Sequence, residues 1–176
     1  MSLIRRILGL DESPADERGD SATVRRIADQ LERLPSEKAR YLASFAYVLA
    51  RVAHADLEID ESEMAEMERI VKEIAQLSEA EAALVVQIAK GQAQHLGGTE
   101  NYVVTREFRE MATKEQRGEL LQCIYAVAAA DGSISGAETN EIRCIAEELG
   151  FTRPEANSLR SQYRDKLAEF QTGSES

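Results

Sequence analysis

Asp56 and Glu63 stand seven residues apart, and the same pair returns 75 residues later as Asp131 and Glu138. Carboxylates are hard oxygen donors of the kind that calcium and magnesium take. Each Asp falls where a predicted helix ends, among the free carbonyls of its negative pole, and each Glu falls one turn into the next helix. A helix, a corner and a helix can bring each pair together. Asp56, Glu63, Asp131 and Glu138 are therefore candidate ligands for a divalent cation, with calcium or magnesium favoured and zinc left open. A structural reading stands beside this one. Glu63 and Glu138 have capping-box spacing from Asp60 and Ser135, and an aspartate can close a corner through an Asx-turn. An EF-hand is ruled out at both places, because its twelfth position, a bidentate Glu, is Met67 counted from Asp56 and Ile142 counted from Asp131.

The repeat extends beyond the carboxylates. Val52, Ala53, Ala55, Asp56, Ile59, Glu63, Glu66 and Ile70 meet identical residues at Val127, Ala128, Ala130, Asp131, Ile134, Glu138, Glu141 and Ile145, with no gap in register. Identity at charged as well as apolar positions marks an internal duplication. Glu66 and Glu141, a turn beyond the candidate ligands, read as a solvated face or as salt-bridge partners.

Other chemistry-bearing residues carry less. His54 has Ala129 as its repeat partner, so a duplicated site does not need it; it reads as a solvent-facing or packed histidine. His95, just before Gly97-Gly98, suits a helix C-terminus, where the dipole favours a cation. Met64 and Met67 are core at helical spacing. There is no triad-like arrangement of Ser, Cys and His and no glycine-rich phosphate loop, so the expectation is a protein that is not an enzyme. The enzymatic alternative is a pair of metals held by the four carboxylates, as in two-metal hydrolases.

With 176 residues the chain suits one sizeable helical domain, and its 3 prolines, 10 glycines and 5% aromatics suit helices packed through small side chains. A net charge of −11 opposes a nucleic-acid surface and favours cations or basic protein partners. Cys123 and Cys144 fall on apolar helix faces, which fits a reducing, cytoplasmic setting. No apolar run reaches transmembrane length, and the N-terminus has no signal-peptide pattern.

Residues 1–20 read as a short amphipathic helix, with Leu3, Ile4, Ile7 and Leu8 on one side, followed by an acidic flexible linker. Docking on the domain or a partner, plain disorder, or peripheral attachment to an inner membrane are its possible roles. Residues 21–170 read as the helical domain and 171–176 as a disordered tail. A first helix stops before Pro35, and a longer helix from Ser36, apolar on a wide face, is expected to be central. After the first corner comes an amphipathic helix with Met64, Met67, Ile70, Val71 and Ile74 inward. Ser78-x-x-Glu81 opens another, and Thr99 a further one carrying Tyr102, Val103, Phe108 and Met111. Thr113-x-x-Gln116 and Ser135-x-x-Glu138 start the helices of the second copy, closed by Gly150. Thr152-x-x-Glu155, with Pro154 in the first turn, opens a last helix through Leu159, Tyr163, Leu167 and Phe170. No segment alternates with period two between turn signals. The predicted fold is all-α, a single domain of about seven to eight helices built on two pseudo-symmetric helix-corner-helix repeats.

An Ala-x-Ala-Asp-(Gly or variant)-x-Ile-x-x-x-Glu motif after an Ala-rich helix, occurring twice in an acidic helical chain, resembles the TerB tellurite-resistance family and its TerB-like relatives. The resemblance spans roughly Leu31 to Phe170. It is fuller in the second copy, where Ala130, Asp131, Gly132, Ile134 and Glu138 all match; the first copy has Leu57 at the glycine position. It implies about seven helices, an acidic cluster holding divalent cations at Asp56, Glu63, Asp131 and Glu138, and a place in bacterial stress systems linked to tellurite. The same module occurs beside DnaJ domains in co-chaperones, but no J-domain is present here. The competing expectation is an interaction scaffold, peripheral or co-chaperone-like, whose corners are structural.

Overall fold

A computed structural model describes residues 20–53, 61–92, 99–130 and 132–166. Within them the chain forms eight α-helices and no strand: α1 (Asp20–Glu32), α2 (Ser36–Ala53), α3 (Glu61–Ala75), α4 (Glu79–Gln92), α5 (Thr99–Met111), α6 (Lys114–Ala129), α7 (Gly136–Glu148) and α8 (Arg153–Ser161). A single 3₁₀ turn, Arg164–Lys166, follows. The expected short N-terminal helix, the linker up to Gly19 and the C-terminal tail lie outside the described residues, while Asp20, expected in the linker, opens α1.

The fold is organised around α2. Every residue from Leu42 to Ala50 is buried, so this part of the helix is covered all round rather than on one stripe. It packs against α1, α4, α5, α6 and α7. Alanines at 39, 43, 46 and 50 let those neighbours approach closely, while Phe45, Leu42 and Leu49 fill the space between them. Tyr41 and Phe45 meet Phe108 of α5 with ring centroids 5.4 and 6.1 Å apart, fastening α2 to α5. On α5 the buried face is Val104, Thr105 and Phe108; Tyr102 and Val103 stand on the outside, 51% and 37% exposed.

The helix pairs cross over between the two copies of the repeat. α2 packs on α7, and α3 packs on α6 as well as on α4. α8 lies across α6 and α7, contributing Ala156 and Leu159 to the edge of the core. The expected helix is shorter than its apolar spacing implied: α8 ends at Ser161, and Leu167 and Phe170 lie outside the described residues. Gln162 and Tyr163 donate backbone bonds to the carbonyls three residues back, Leu159 and Arg160, and the chain tightens into the 3₁₀ turn. A tertiary contact accompanies the change. Tyr163 stacks on Tyr125 of α6, with centroids 5.3 Å apart and planes 9° apart, and its hydroxyl donates to the Gln122 carbonyl at 3.5 Å.

Candidate functional site

The second corner is built by local chemistry. α6 closes at Ala130, whose N–H donates to the Val127 carbonyl, and Gly132 N–H donates to the Ala129 carbonyl at 2.9 Å. Gly132 holds φ +98, a region closed to most side chains, which is the physical reason a glycine follows the aspartate in this copy. Ile134 then turns inward and is fully buried, pinning the corner to the core. Ser135 caps α7. Its Oγ accepts from the Glu138 N–H at 3.1 Å, and its own N–H donates to Glu138 Oε2 at 2.7 Å. The capping-box expectation for Glu138 therefore holds, and one carboxylate oxygen of this candidate ligand is committed to it. Oε1 lies outside that bond, so the residue retains an oxygen donor of the type a hard cation takes.

Glu63 occupies the matching place in the first copy: it is the third residue of α3, as Glu138 is the third of α7, and it is exposed. Asp56 and Asp131 lie outside the described residues, as do Asp60, His54 and His95. Two of the four candidate ligands are thus placed, both in first turns. Among the described residues no group of three or more His, Cys, Asp or Glu side chains is arranged to hold a metal ion.

Glu66 and Glu141 prove to be salt-bridge partners, each in a different way. Glu66 pairs with Arg69 on its own helix at 2.6 Å, and this hydrogen bond holds its carboxyl below the ordinary carboxylate range. Glu141 reaches across to Arg51, near the end of α2 and just before the first corner. Arg51 Nε donates to Glu141 Oε1 at 2.8 Å, and Nη1 donates to Thr105 Oγ1 of α5 at 2.9 Å and to Glu148 Oε2 of α7. The Arg51 side chain is only 6% exposed. One guanidinium thus binds three helices together at the end of α2 that leads into the first corner.

Sequence reasoning passed over Arg51, although a signal was there. It is the lone charge in the run from Leu42 to Val52, and such a charge is buried only when paired. Its repeat partner is Ala126, so the duplication did not draw attention to it. Neither thiol is in a disulfide: Cys144 is half-buried, whereas Cys123 is buried as a small hydrophobe would be, and that burial pushes its thiol up to about 12.

Residues 41–161 match the family of tellurite resistance protein TerB. The chain belongs to the TerB family. The match begins within α2 and ends at the last residue of α8, so the TerB region comprises both corners, the Arg51 cluster and the helices that carry them. α1 precedes it. Neither the curated proteins nor the solved structures contain a match to this chain. No described helix of this TerB protein is long and apolar enough to cross a membrane.

Proposed function

We propose that this TerB protein is a non-enzymatic, divalent-cation-binding protein of a bacterial tellurite- or metal-stress response. Asp56, Glu63, Asp131 and Glu138 supply the oxygen donors, for calcium or magnesium by their chemistry. The observation that carries the reading is that Glu63 and Glu138 both stand third in their helices, each seven residues after an aspartate in the sequence. The copies then form a pseudo-symmetric pair, a reading supported by the crossing of α2 with α7 and α3 with α6. Arg51 favours a rigid platform, because it ties α2, where it enters the first corner, to the α7 helix that leaves the second. A net charge of −11 concentrates cations at the surface, and we place the protein in the cytoplasm, with the N-terminal segment as a peripheral inner-membrane tether.

A second reading has its own observation. The capping box at Ser135 accounts for Glu138 without any ion, which favours a scaffold whose corners are structural and whose partners are proteins. Glu138→Gln separates the two. Glutamine keeps the box, as Gln116 does with Thr113 in α6, but removes the charge. Calorimetric titration of chelator-treated protein with calcium, magnesium, zinc and manganese is the measurement, repeated on Glu138→Gln and on Asp56→Asn combined with Asp131→Asn. Saturable binding by the wild type, weakened at least about tenfold in variants that melt normally, is the expected result. No binding heat, with variants that differ only in melting temperature, would leave the corners as caps.

A further inference from the structure

The register of the repeat sets α3 beside α7, and the two helices are held in different ways. Glu66 and Glu73 on α3 stand where Glu141 and Glu148 stand on α7. Each pair is bound by one arginine. On α7 that arginine is Arg51, which arrives from α2 and donates to Thr105 of α5 as well, with its side chain 6% exposed. On α3 it is Arg69 of the same helix, which meets Glu66 at 2.6 Å and Glu73 at 3.0 Å with its side chain 54% exposed. The cations are not repeated in register: Ala126 of α6 is the counterpart of Arg51, and Cys144 of α7 is the counterpart of Arg69. Among the described residues, every side-chain bond of Glu66, Arg69 and Glu73 therefore stays within α3. A buried pair between helices fixes one against another, whereas exposed i,i+3 and i,i+4 pairs brace only their own helix.

The apolar contacts divide the same way. α7 packs on α2, α5, α6 and α8, and α3 packs on α4 and α6. Ile142, Ile145 and Leu149 of the α7 side are fully buried, while of their counterparts Met67, Ile70 and Ile74 the last is only half-buried. The C-terminal ends differ as well. The chain leaves α7 through Gly150, which adopts its left-handed φ freely, but it leaves α3 through Gln76 at φ +56. Gln76 is the one non-glycine residue with a positive φ among those described, and a side chain held there stores strain that a glycine does not.

We infer that α3 opens locally from the bundle, pivoting at Gln76, while α7 stays clamped by Arg51. Helices with few neighbours and no buried polar tie to them are the ones that open below the global unfolding limit. The end that swings carries Glu63, because the pivot is at the other end. On the cation reading proposed above, on which this consequence rests, the second corner presents Glu138 in a fixed place and the first adjusts the place of Glu63 to what it binds.

Hydrogen exchange of the full chain, read amide by amide by NMR without added cation, tests the opening independently of any cation binding. Amides of residues 67–75 should exchange at least about tenfold faster than those of residues 142–149, and low urea should accelerate them less, as local opening requires. Arg51→Met should bring the two helices to within about threefold of each other by releasing α7. Gln76→Gly should slow exchange in α3 by about threefold or more by removing the strain at the pivot. Equal protection of the two helices in the wild type, an unchanged ratio in Arg51→Met, or unchanged α3 exchange in Gln76→Gly would overturn the inference. Should Arg51→Met lose its native spectrum, the wild-type comparison and Gln76→Gly decide, since neither disturbs the clamp.

Discussion

Arg51 shows how much one side chain can hold. Its guanidinium is nearly inaccessible, and it satisfies groups on α5 and α7 at once, so deleting it strands two carboxylates beside a buried threonine. Arg51→Ala should lower unfolding stability in urea by about 3 kcal/mol, the low end for a broken buried pair because Glu141 is 37% exposed. Arg51→Met should lose less, since its stem still packs along the core. Ser44 is the opposite case. Its Oγ is buried in α2 with no partner among the described residues, so Ser44→Ala should raise stability by about 0.5–1 kcal/mol in the same assay. Neither effect is legible in a residue's neighbours along the chain. Both depend on which groups the other helices bring within 3 Å.

Helix ends, by contrast, are decided within a few residues. The reciprocal boxes at Ser78–Glu81, Thr113–Gln116, Ser135–Glu138 and Thr152–Glu155 all form where their spacing predicts. α7 also closes as expected at Gly150, which takes φ +87 while Phe151 N–H returns to the Ala146 carbonyl and Gly150 N–H to that of Glu147. Gly150→Ala should cost about 1–2 kcal/mol, from the left-handed backbone and from an added Cβ that would lie 2.8 Å from Arg109 Nε. Gly118→Ala, inside α6 with open space around the new Cβ, should instead gain about 0.5–1 kcal/mol; thermal melts of the two variants should move in opposite directions. The end of α8 went otherwise than its apolar spacing implied. Tyr163 matches both a longer helix and the stack on Tyr125, and the stacked arrangement with its tighter turn is the one that forms.

At the scale of the molecule, cations of this acidic chain pair with carboxylates on other helices around an apolar core. Lys38 of α2 meets Glu81 of α4 at 2.8 Å, and Lys114 of α6 meets Glu155 of α8 at 2.6 Å. The Lys114 ammonium, with the Thr152 backbone N–H, holds the Glu155 carboxyl down at about 2, below its ordinary 4.5. A carboxylate depressed in the folded state stabilises it fully above its unfolded value and loses that contribution as pH falls from about 4.5 toward 2. Glu155→Gln should therefore flatten the fall of melting temperature across that window, and 0.5 M salt should weaken the wild-type effect, because the pair is exposed. By itself the sequence determined the all-helical class, the central place of α2, four capped helix starts and the TerB likeness, since periodicity, capping spacing and identity in register act over a few turns of chain. The tertiary structure decided the pairing of Glu141 and Glu148 with Arg51, the outward turn of Tyr102 and Val103 and the early end of α8. Each of these joins residues from different helices, and only packing sets which side chains meet.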